Sequence, residues 1–379
     1  MGGRQVAAWE LGRELIAAGH RVTHLSMGLD PKVPTKTELD GMQVRRFKAS
    51  SLPLRQAVSR GAHIRDDLRR GIVPVVHSHH AYAEPGVAMA MPSDVPWVRT
   101  FHSPWHEDGW LEETRGKSGQ WLIPRLRRSV RTAMEKTSLK RAQRVVVLSQ
   151  CFYDKALELG VPEDRLRMIP GGTRLGQYHL YGTQAEARQR LGWKMDGPVL
   201  LTVRRLIPRM GVDDLVAAMP EVIAGEPKAQ LVIGGSGPEH KRLERQVRRL
   251  GLTDRITFAG FIPSEHLADY YRAADLFVLP TFALEGFGLV TVDALACGTP
   301  VLGTPIGATP EILSHLDLRL LTNGTGKEPI AQGILEFLKG EWRKELTPER
   351  LHQFVKERYS WKRHAEAMIR VYEEVTLKK

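Results

Sequence analysis

The sequence predicts an α/β protein built of two Rossmann-like domains, and three observations carry that prediction. Short β-branched and apolar runs alternate with helix-length segments along most of the chain, the pattern of βαβ units stacked around a parallel sheet. That alternation stops at a glycine-rich stretch, residues 171–197, and then restarts. At 379 residues the chain exceeds one ordinary domain and suits two.

The first half opens with a helix at 4–18, where Val6, Trp9, Leu11 and Leu15 have the spacing of a face packed on a sheet. Strands follow at 22–26 (VTHLS), 44–47 (VRRF), 75–79 (VVHSH), 97–102 (WVRTFH) and 144–149 (RVVVLS). The second half supplies strands at 198–203 (PVLLTV), 229–235 (AQLVIGG), 256–261 (ITFAGF), 275–280 (DLFVLP) and 300–304 (PVLGT). Residues 171–197 read as the linker, which gives domains at 1–175 and 190–358. An amphipathic helix, SWKRHAEAMIRVYEEV, lies beyond the last strand, and residues 359–379 are expected to pack back toward the first domain. No repeat or low-complexity tract stands out.

Composition narrows the function classes. No apolar run approaches a membrane span and no charged-then-apolar leader opens the chain, so neither insertion nor secretion is indicated and a cytoplasmic location is expected. Cys151 and Cys297 sit in apolar helical patterns and are expected to be buried thiols in a reducing compartment. A formal charge of +12 points to an anionic partner: a nucleotide, a phospholipid surface or a nucleic acid.

The richest stretch is EGFGLVTVDALACGTPVLGTPIGATPE, residues 285–311. It follows a buried strand, breaks at Gly286 and Gly288, continues as a helix, and stops at Gly298 and Pro300. A strand, a glycine turn and a helix N-terminus are a common way to hold a phosphate. VIGGSGPE at 232–239 offers a second strand with a glycine cluster. It lacks both G-x-G-x-x-G and G-x-x-x-x-G-K-[ST], which disfavours a nicotinamide enzyme and a P-loop hydrolase.

Six segments match a different set: GGRQVAAWELGRELIAAGHRV at the start, TFHSPW at 100–105, RVVVLS at 144–149, TVRRLIPRMG at 202–211, GGSGPE at 234–239, and the 285–311 stretch. In that order they resemble the retaining GT-B glycosyltransferases of family four, glycosyl transferases group 1, over nearly the whole chain. The resemblance implies two Rossmann-like domains facing across a cleft, the second holding a nucleotide-diphosphate sugar and the first choosing the acceptor. It implies retaining, metal-independent sugar transfer to a hydroxyl, with the donor sugar as co-substrate, no cofactor and no nucleic acid. The acceptor would be a sugar, a lipid-linked molecule or a small molecule.

Residue by residue, the resemblance assigns Arg205 to the diphosphate, where an arginine fork suits phosphate oxygens. The N–H groups of Gly286, Phe287 and Gly288, with Leu289 opening the helix, add partial positive charge. Glu285 and Asp293 match the two acids of the family's E-x7-E motif, the first associated with the donor sugar and the second with the ribose. His102 matches a histidine that contacts the transferred sugar or its phosphate, and Gly3, Gly235 and Gly237 match the family's glycine turns. Each has a structural alternative. Glu285 can cap a helix, Asp293 can be a solvated helix acid, His102 can be a satisfied core histidine, and the glycines can serve tight turns alone. His77, His79 and His80 cluster without the acid or cysteine neighbours of a metal site.

Three departures stand out. Met210 occupies the place, five residues after Arg205, where the family usually has a lysine, leaving Arg204 or Arg209 as the candidate second cation. Asp293 is one methylene shorter than the usual glutamate. The Gly2–Gly3 pair comes straight after Met1, so the strand that normally precedes it, central in a doubly wound sheet, is expected to be missing from the sheet. The remaining alternatives are a catalytically impaired nucleotide-sugar-binding protein and a GT-B-like nucleotide-sugar epimerase. Finally, residues 124–144 set Arg125, Arg127, Arg128 and Arg131 beside Leu126, Val130, Met134 and Leu139. This is either a helix resting on the anionic inner face of a membrane or one packed on its own domain.

Overall fold

The computed structural model describes residues 2–28, 34–48, 67, 69–70, 75–79, 92, 95–114, 122–193 and 196–377. The chain forms two compact units. One comprises residues 1–110, 120–171 and 361–379, the other residues 111–119 and 172–360.

The first unit contains, in chain order, α1 (Gly3–Ala17), β1 (Thr23–Gly28), β2 (Lys36–Leu39), β3 (Met42–Lys48), β4 (Val76–Ser78), β5 (Trp97–Phe101), most of α2 (Trp105–Thr114), α3 (Leu122–Arg141), β6 (Arg144–Val147), α4 (Gln150–Glu158) and β7 (Leu166–Met168). Strands β4, β5, β6 and β7 pair in that order, all parallel. Strands β5 and β6 are buried along their whole length, so neither shows an apolar–polar alternation, and β5 buries Arg99 and Thr100 among its apolar residues. Their two faces nonetheless split by the period of two. Trp97, Phe101, Val145 and Val147 join Leu139, Phe152 and Ala156 in one core. Val98 and Val146 join Leu11 and Leu15 of α1 in the other.

That second core is completed by Ala365, Met368, Val371 and Val375 of the terminal helix Trp361–Thr376, so the last helix of the chain covers the first unit's sheet. The pair β1–β3 is parallel and β2 is antiparallel on β3. Among the described residues no ladder joins this three-stranded sheet to the four-stranded one, so VTHLS and VVHSH lie at the edges of separate sheets.

Helix α3 is divided. Its C-terminal half buries Glu135, Ser138 and Leu139, where Glu135 meets the fully buried Arg99 at 3.5 Å and His106 at 2.8 Å. Its N-terminal half leaves Leu122, Ile123, Leu126 and Val130 exposed.

The second unit contains α5 (Gln184–Arg190), β8 (Val199–Val203), α6 (Val212–Gly225), β9 (Gln230–Gly234), α7 (His240–Arg249), β10 (Ile256–Gly260), α8 (Ser264–Ala273), β11 (Leu276–Leu279), α9 (Leu289–Ala296), β12 (Val301–Gly303), α10 (Thr309–Leu313), α11 (Lys327–Lys339) and α12 (Pro348–Arg358), after which α13 is the Trp361–Thr376 helix. Its sheet is wholly parallel in the order β10–β9–β8–β11–β12. The chain therefore starts in the middle at β8, winds outward through β9 and β10, and returns to β8's other side with β11. The order reverses between β8 and β11, and ligands of open α/β sheets collect at such a reversal, beyond the carboxyl ends of the strands.

Three expectations change. Strands β2 and β7 are short and were not legible as runs. The stretch 171–197 is not irregular throughout: α5 lies inside it, started by a capping box of Thr183 with Glu186. Ala187 is fully buried, and Arg188 and Arg190 pair with Asp275 and Asp269 at 2.7 and 2.8 Å, which fastens α5 to the second unit. Of the two thiols, Cys297 is buried but Cys151 is half-buried.

The terminal helix gives the fold its first test. Met368 has no exposed surface, so Met368→Ala should cost about 2–5 kcal/mol in urea unfolding; a loss below about 1 kcal/mol would contradict the described packing.

Candidate functional site

Beyond the carboxyl end of β8 the chain runs alongside the exit of β9 in continued backbone pairing. Arg204 N–H donates to Gly234 O at 3.0 Å and Leu206 N–H to Ser236 O at 2.9 Å. That approach leaves no room for side chains. A Cβ at Gly235 would lie 1.8 Å from Arg204 O, and one at Gly237 would lie 2.3 Å from Leu206 O. Gly235 also has φ of 113°, outside the range of L side chains. These two glycines thus serve a close backbone approach, whatever else they touch.

The exit of β11 is shaped by two arginines. Arg209 donates from Nη1 to Leu284 O at 2.7 Å, and its own carbonyl accepts from Phe282 N–H at 2.9 Å. It steadies Leu284, whose φ of 61° is rare for a branched residue and costs about 1–3 kcal/mol. Arg204 turns inward, donating from Nη2 to Glu285 Oε2 at 2.6 Å and from Nη1 to Thr281 Oγ1 at 2.9 Å. Thr281 in turn donates to the same Oε2 at 3.0 Å. Arg204 and Glu285 are each 8% exposed. Burial by itself would raise the Glu285 pKa, but the Arg204 charge and hydrogen bond, with Arg209 and Thr281, hold it below the usual carboxylate range.

Glu285 does not cap the following helix. The N-cap of α9 is Gly288, with φ of 81° and no side-chain cap. Among the described residues, the N–H groups of Gly286, Phe287 and Gly288 donate to no protein acceptor, and Phe287 is only 4% exposed. Phe287 and Gly288 are buried and Gly286 is half-buried, so three successive N–H groups without a protein acceptor stand at a helix mouth, an arrangement suited to an anion. Leu289 opens the helix, half-buried. Asp293, one turn further, accepts from Thr173 Oγ1 at 2.5 Å rather than standing in solvent. Arg205 extends outward with its side chain 58% exposed, and Met210 is buried with its sulfur 2.8 Å from Arg204 Nη2.

In the first unit, His102 follows β5 half-buried, with Nε2 3.1 Å from His79 Nδ1. His79 lies against His77 with ring centroids 4.0 Å apart, and His77 reaches Tyr372 Oη and Thr100 Oγ1, each at 2.7 Å. Burial pushes His77 well below the ordinary imidazole value, His79 down to about 3 and His364 down to about 4. These rings are neutral hydrogen-bonding groups. His80 lies outside the described residues. Gly3 is exposed at the first turn of α1, and the next residue, Arg4, donates to Ser103 Oγ and, at 2.6 Å, to Asp108 Oδ2. That contact ties the helix start to the loop after His102. Sequence reasoning missed Arg204 as the partner of Glu285, Thr281 between them, and Arg4; no local pattern signals contacts between residues 81 or 99 positions apart.

The model of the glycosyl transferases group 1 family matches residues 183–370, and that of glycosyltransferase family 4 matches residues 1–177. The chain is 28% identical to a D-inositol 3-phosphate glycosyltransferase of Acidothermus cellulolyticus, over 98% of this chain and 85% of that protein. It is 26% identical to an uncharacterized glycosyltransferase of Methanocaldococcus jannaschii, over 98% of this chain and 94% of that one. Among solved structures, sucrose-phosphate synthase from Thermosynechococcus elongatus superposes with a TM-score of 0.83 at 28% identity, covering 100% of this chain and 94% of that one. HepE of Anabaena, in complex with UDP and glucose, shares the fold at a TM-score of 0.76 and 19% identity, covering 98% and 96%.

Two outcomes follow from the geometry. Gly235→Ala should destabilise the protein by more than about 1 kcal/mol in chemical unfolding, because it combines a left-handed φ with a backbone clash. For the buried histidines the folded pKa values lie below the unfolded value of about 6.5, so the unfolded chain binds the extra protons. Stability should therefore fall as pH drops below about 6.5 toward 4. Unfolding melts of His79→Gln should show a weaker decline over that window than the parent, and an unchanged decline would exclude His79 as a contributor.

Proposed function

Since the chain belongs to the glycosyl transferases group 1 of family four, enzymes of GT-B fold that use nucleotide sugars, we propose that it transfers a sugar with retention of configuration and without a required metal ion. The observation that carries the site assignment is the cradle of unpartnered N–H groups at Gly286, Phe287 and Gly288, set at the strand-order reversal beside an ionised Glu285.

In this reading the cradle and the Arg205 guanidinium receive the donor diphosphate, where oriented donors stabilise the negative charge that grows on the leaving phosphate. Glu285 Oε1 accepts from a hydroxyl of the donor sugar, and the Asp293 carboxylate, oriented by Thr173, accepts from the ribose. His102, whose ring lies 3.1 Å from His79, keeps the role that the family resemblance gives it toward the sugar or its phosphate. No residue of this set is placed as a nucleophile, and the departing phosphate oxygen serves to draw the proton from the acceptor hydroxyl. The acceptor is a sugar, a lipid-linked molecule or a small molecule, and the expected location is cytoplasmic.

A lipid-linked acceptor is favoured by α3. Leu122 is 79% exposed and Leu126 66%, on a stripe with Ile123 and Val130, and Arg125, Arg127 and Arg128 flank it. An apolar stripe edged by arginines fits the interface of an anionic membrane. The described residues include no helix long and apolar enough to cross one, so the contact would be peripheral.

Calorimetric titration with UDP, GDP and ADP should reveal binding of one nucleoside diphosphate. Glu285→Gln should keep that binding yet lower sugar transfer at least tenfold. Binding without transfer under any acceptor would favour an impaired transferase, and conversion of the donor without acceptor would favour an epimerase. Sedimentation with vesicles of anionic phospholipid at low salt should carry the protein down, and Leu122→Ser with Leu126→Ser should release it; a parent protein that stays in the supernatant would remove the membrane contact.

A further inference from the structure

A buried arginine against a buried glutamate is a costly arrangement unless each holds the other, because removing one partner leaves an uncompensated charge. Arg204 meets that condition through a closed set of contacts. Nη2 takes Glu285 Oε2, Nη1 takes Thr281 Oγ1, and Thr281 closes the ring by donating to the same Oε2. Glu285 Oε1 accepts from no described residue and is not sealed from solvent. The carboxylate is therefore held by one oxygen, while the other is left for a ligand. Met210 adds one more contact: its sulfur touches the same Nη2, so the side chain at position 210 ends where the guanidinium sits.

We propose that Arg204 is a positioning residue of the donor site, holding Glu285 ionised with Oε2 engaged and Oε1 presented, and that one cation at this point suffices whether its stem rises from position 204 or from position 210. The functional consequence rests on the donor-site reading above. The arrangement itself does not. The charged groups facing Glu285 are Arg204 from the end of β8 and Arg209 from the turn before α6; Thr281, from the end of β11, is the neutral contributor.

A variant series tests the claim without any ligand: Arg204→Met, Arg204→Lys, and Arg204→Met combined with Met210→Lys, each melted by calorimetry between pH 5 and pH 7.5. The sign is fixed by linkage. In the parent, Glu285 has a lowered folded pKa, so its contribution is present above the unfolded pKa and lost as pH falls through the folded one. In Arg204→Met the carboxylate stays buried without its main counter-charge, and its pKa rises above the ordinary value. The melting-temperature gap between parent and Arg204→Met should therefore be largest at pH 7.5 and narrow toward pH 5. Arg204→Lys and the double variant should show a small gap that does not change with pH. A gap for Arg204→Met that is constant with pH, or a double variant no better than the single one, would overturn the proposal. If Arg204→Met cannot be purified folded, the double variant decides alone: folding supports the shared cation point, and failure to fold refutes it.

For the functional arm, turnover of UDP-glucose or GDP-mannose should fall at least tenfold in kcat for Arg204→Met, with nucleoside diphosphate affinity within threefold of the parent. The double variant should recover most of the loss. If the parent itself binds no nucleoside diphosphate, the donor-site reading fails, while the pH series still decides the role of Arg204 toward Glu285.

Discussion

Close backbone approach is the constraint on which the second unit's site depends. Four strand-exit loops meet at the carboxyl edge of the β8–β12 sheet, and each meeting point is a glycine. Gly211 faces Pro280 O, Gly235 faces Arg204 O, Gly237 faces Leu206 O and Gly307 faces Glu285 O, and at every one a Cβ would fall within 2.3 Å of that oxygen. At each of these points a side chain is excluded, so the four loops can approach this closely only through glycine. The positions of Arg204 and Glu285 follow from them, since each residue's carbonyl is itself one of the oxygens approached. The cradle at Gly286, Phe287 and Gly288 follows in turn, because Ala308 N–H binds Glu285 O at 3.0 Å and fixes where the chain turns into α9.

Electrostatics is then added to a geometry that sterics has already set. One arginine, Arg209, is used on a carbonyl and steadies the strained Leu284. Another, Arg204, is used on a carboxylate. A third, Arg205, extends outward, and its planar fork suits phosphate recognition. The first unit reaches its local order differently. Neutral imidazoles of His77 and His79, a tyrosine and a threonine make a buried hydrogen-bonded group around His102, and α13 supplies both the tyrosine and the apolar cover of the sheet.

Much of this was legible in the sequence, for identifiable reasons. The parallel strands β6, β8 and β11 are buried on both faces and so read as largely apolar runs, whereas β5 is buried along its length although it carries Arg99 and Thr100. The turn at 286–288 is announced by two glycines at the start of a helix. Short strands such as β2, exposed at three of its four residues, carry no such signal, and the α5 helix hid inside a glycine-rich stretch although its Thr183–Glu186 box was there to be read. The reading of Glu285 as a capping residue failed because the cap position is three residues later. Arg204 was open as a second cation, but its partner was not legible, because the contact to Glu285 spans 81 residues and depends on the parallel pairing of β8 with β11.

In the proposed function, a nucleoside diphosphate is held at the carboxyl edge of the second sheet. A crystal structure of the chain soaked with the nucleoside diphosphate that binds in solution tests it most directly. Phosphate oxygens are expected within about 3 Å of the N–H groups of Gly286, Phe287 and Gly288, with Arg204 still on Glu285 Oε2. Phosphates found elsewhere, for example in the 270 Å³ cavity at the opposite edge of that sheet lined by Tyr181, Arg272 and Cys297, would contradict it.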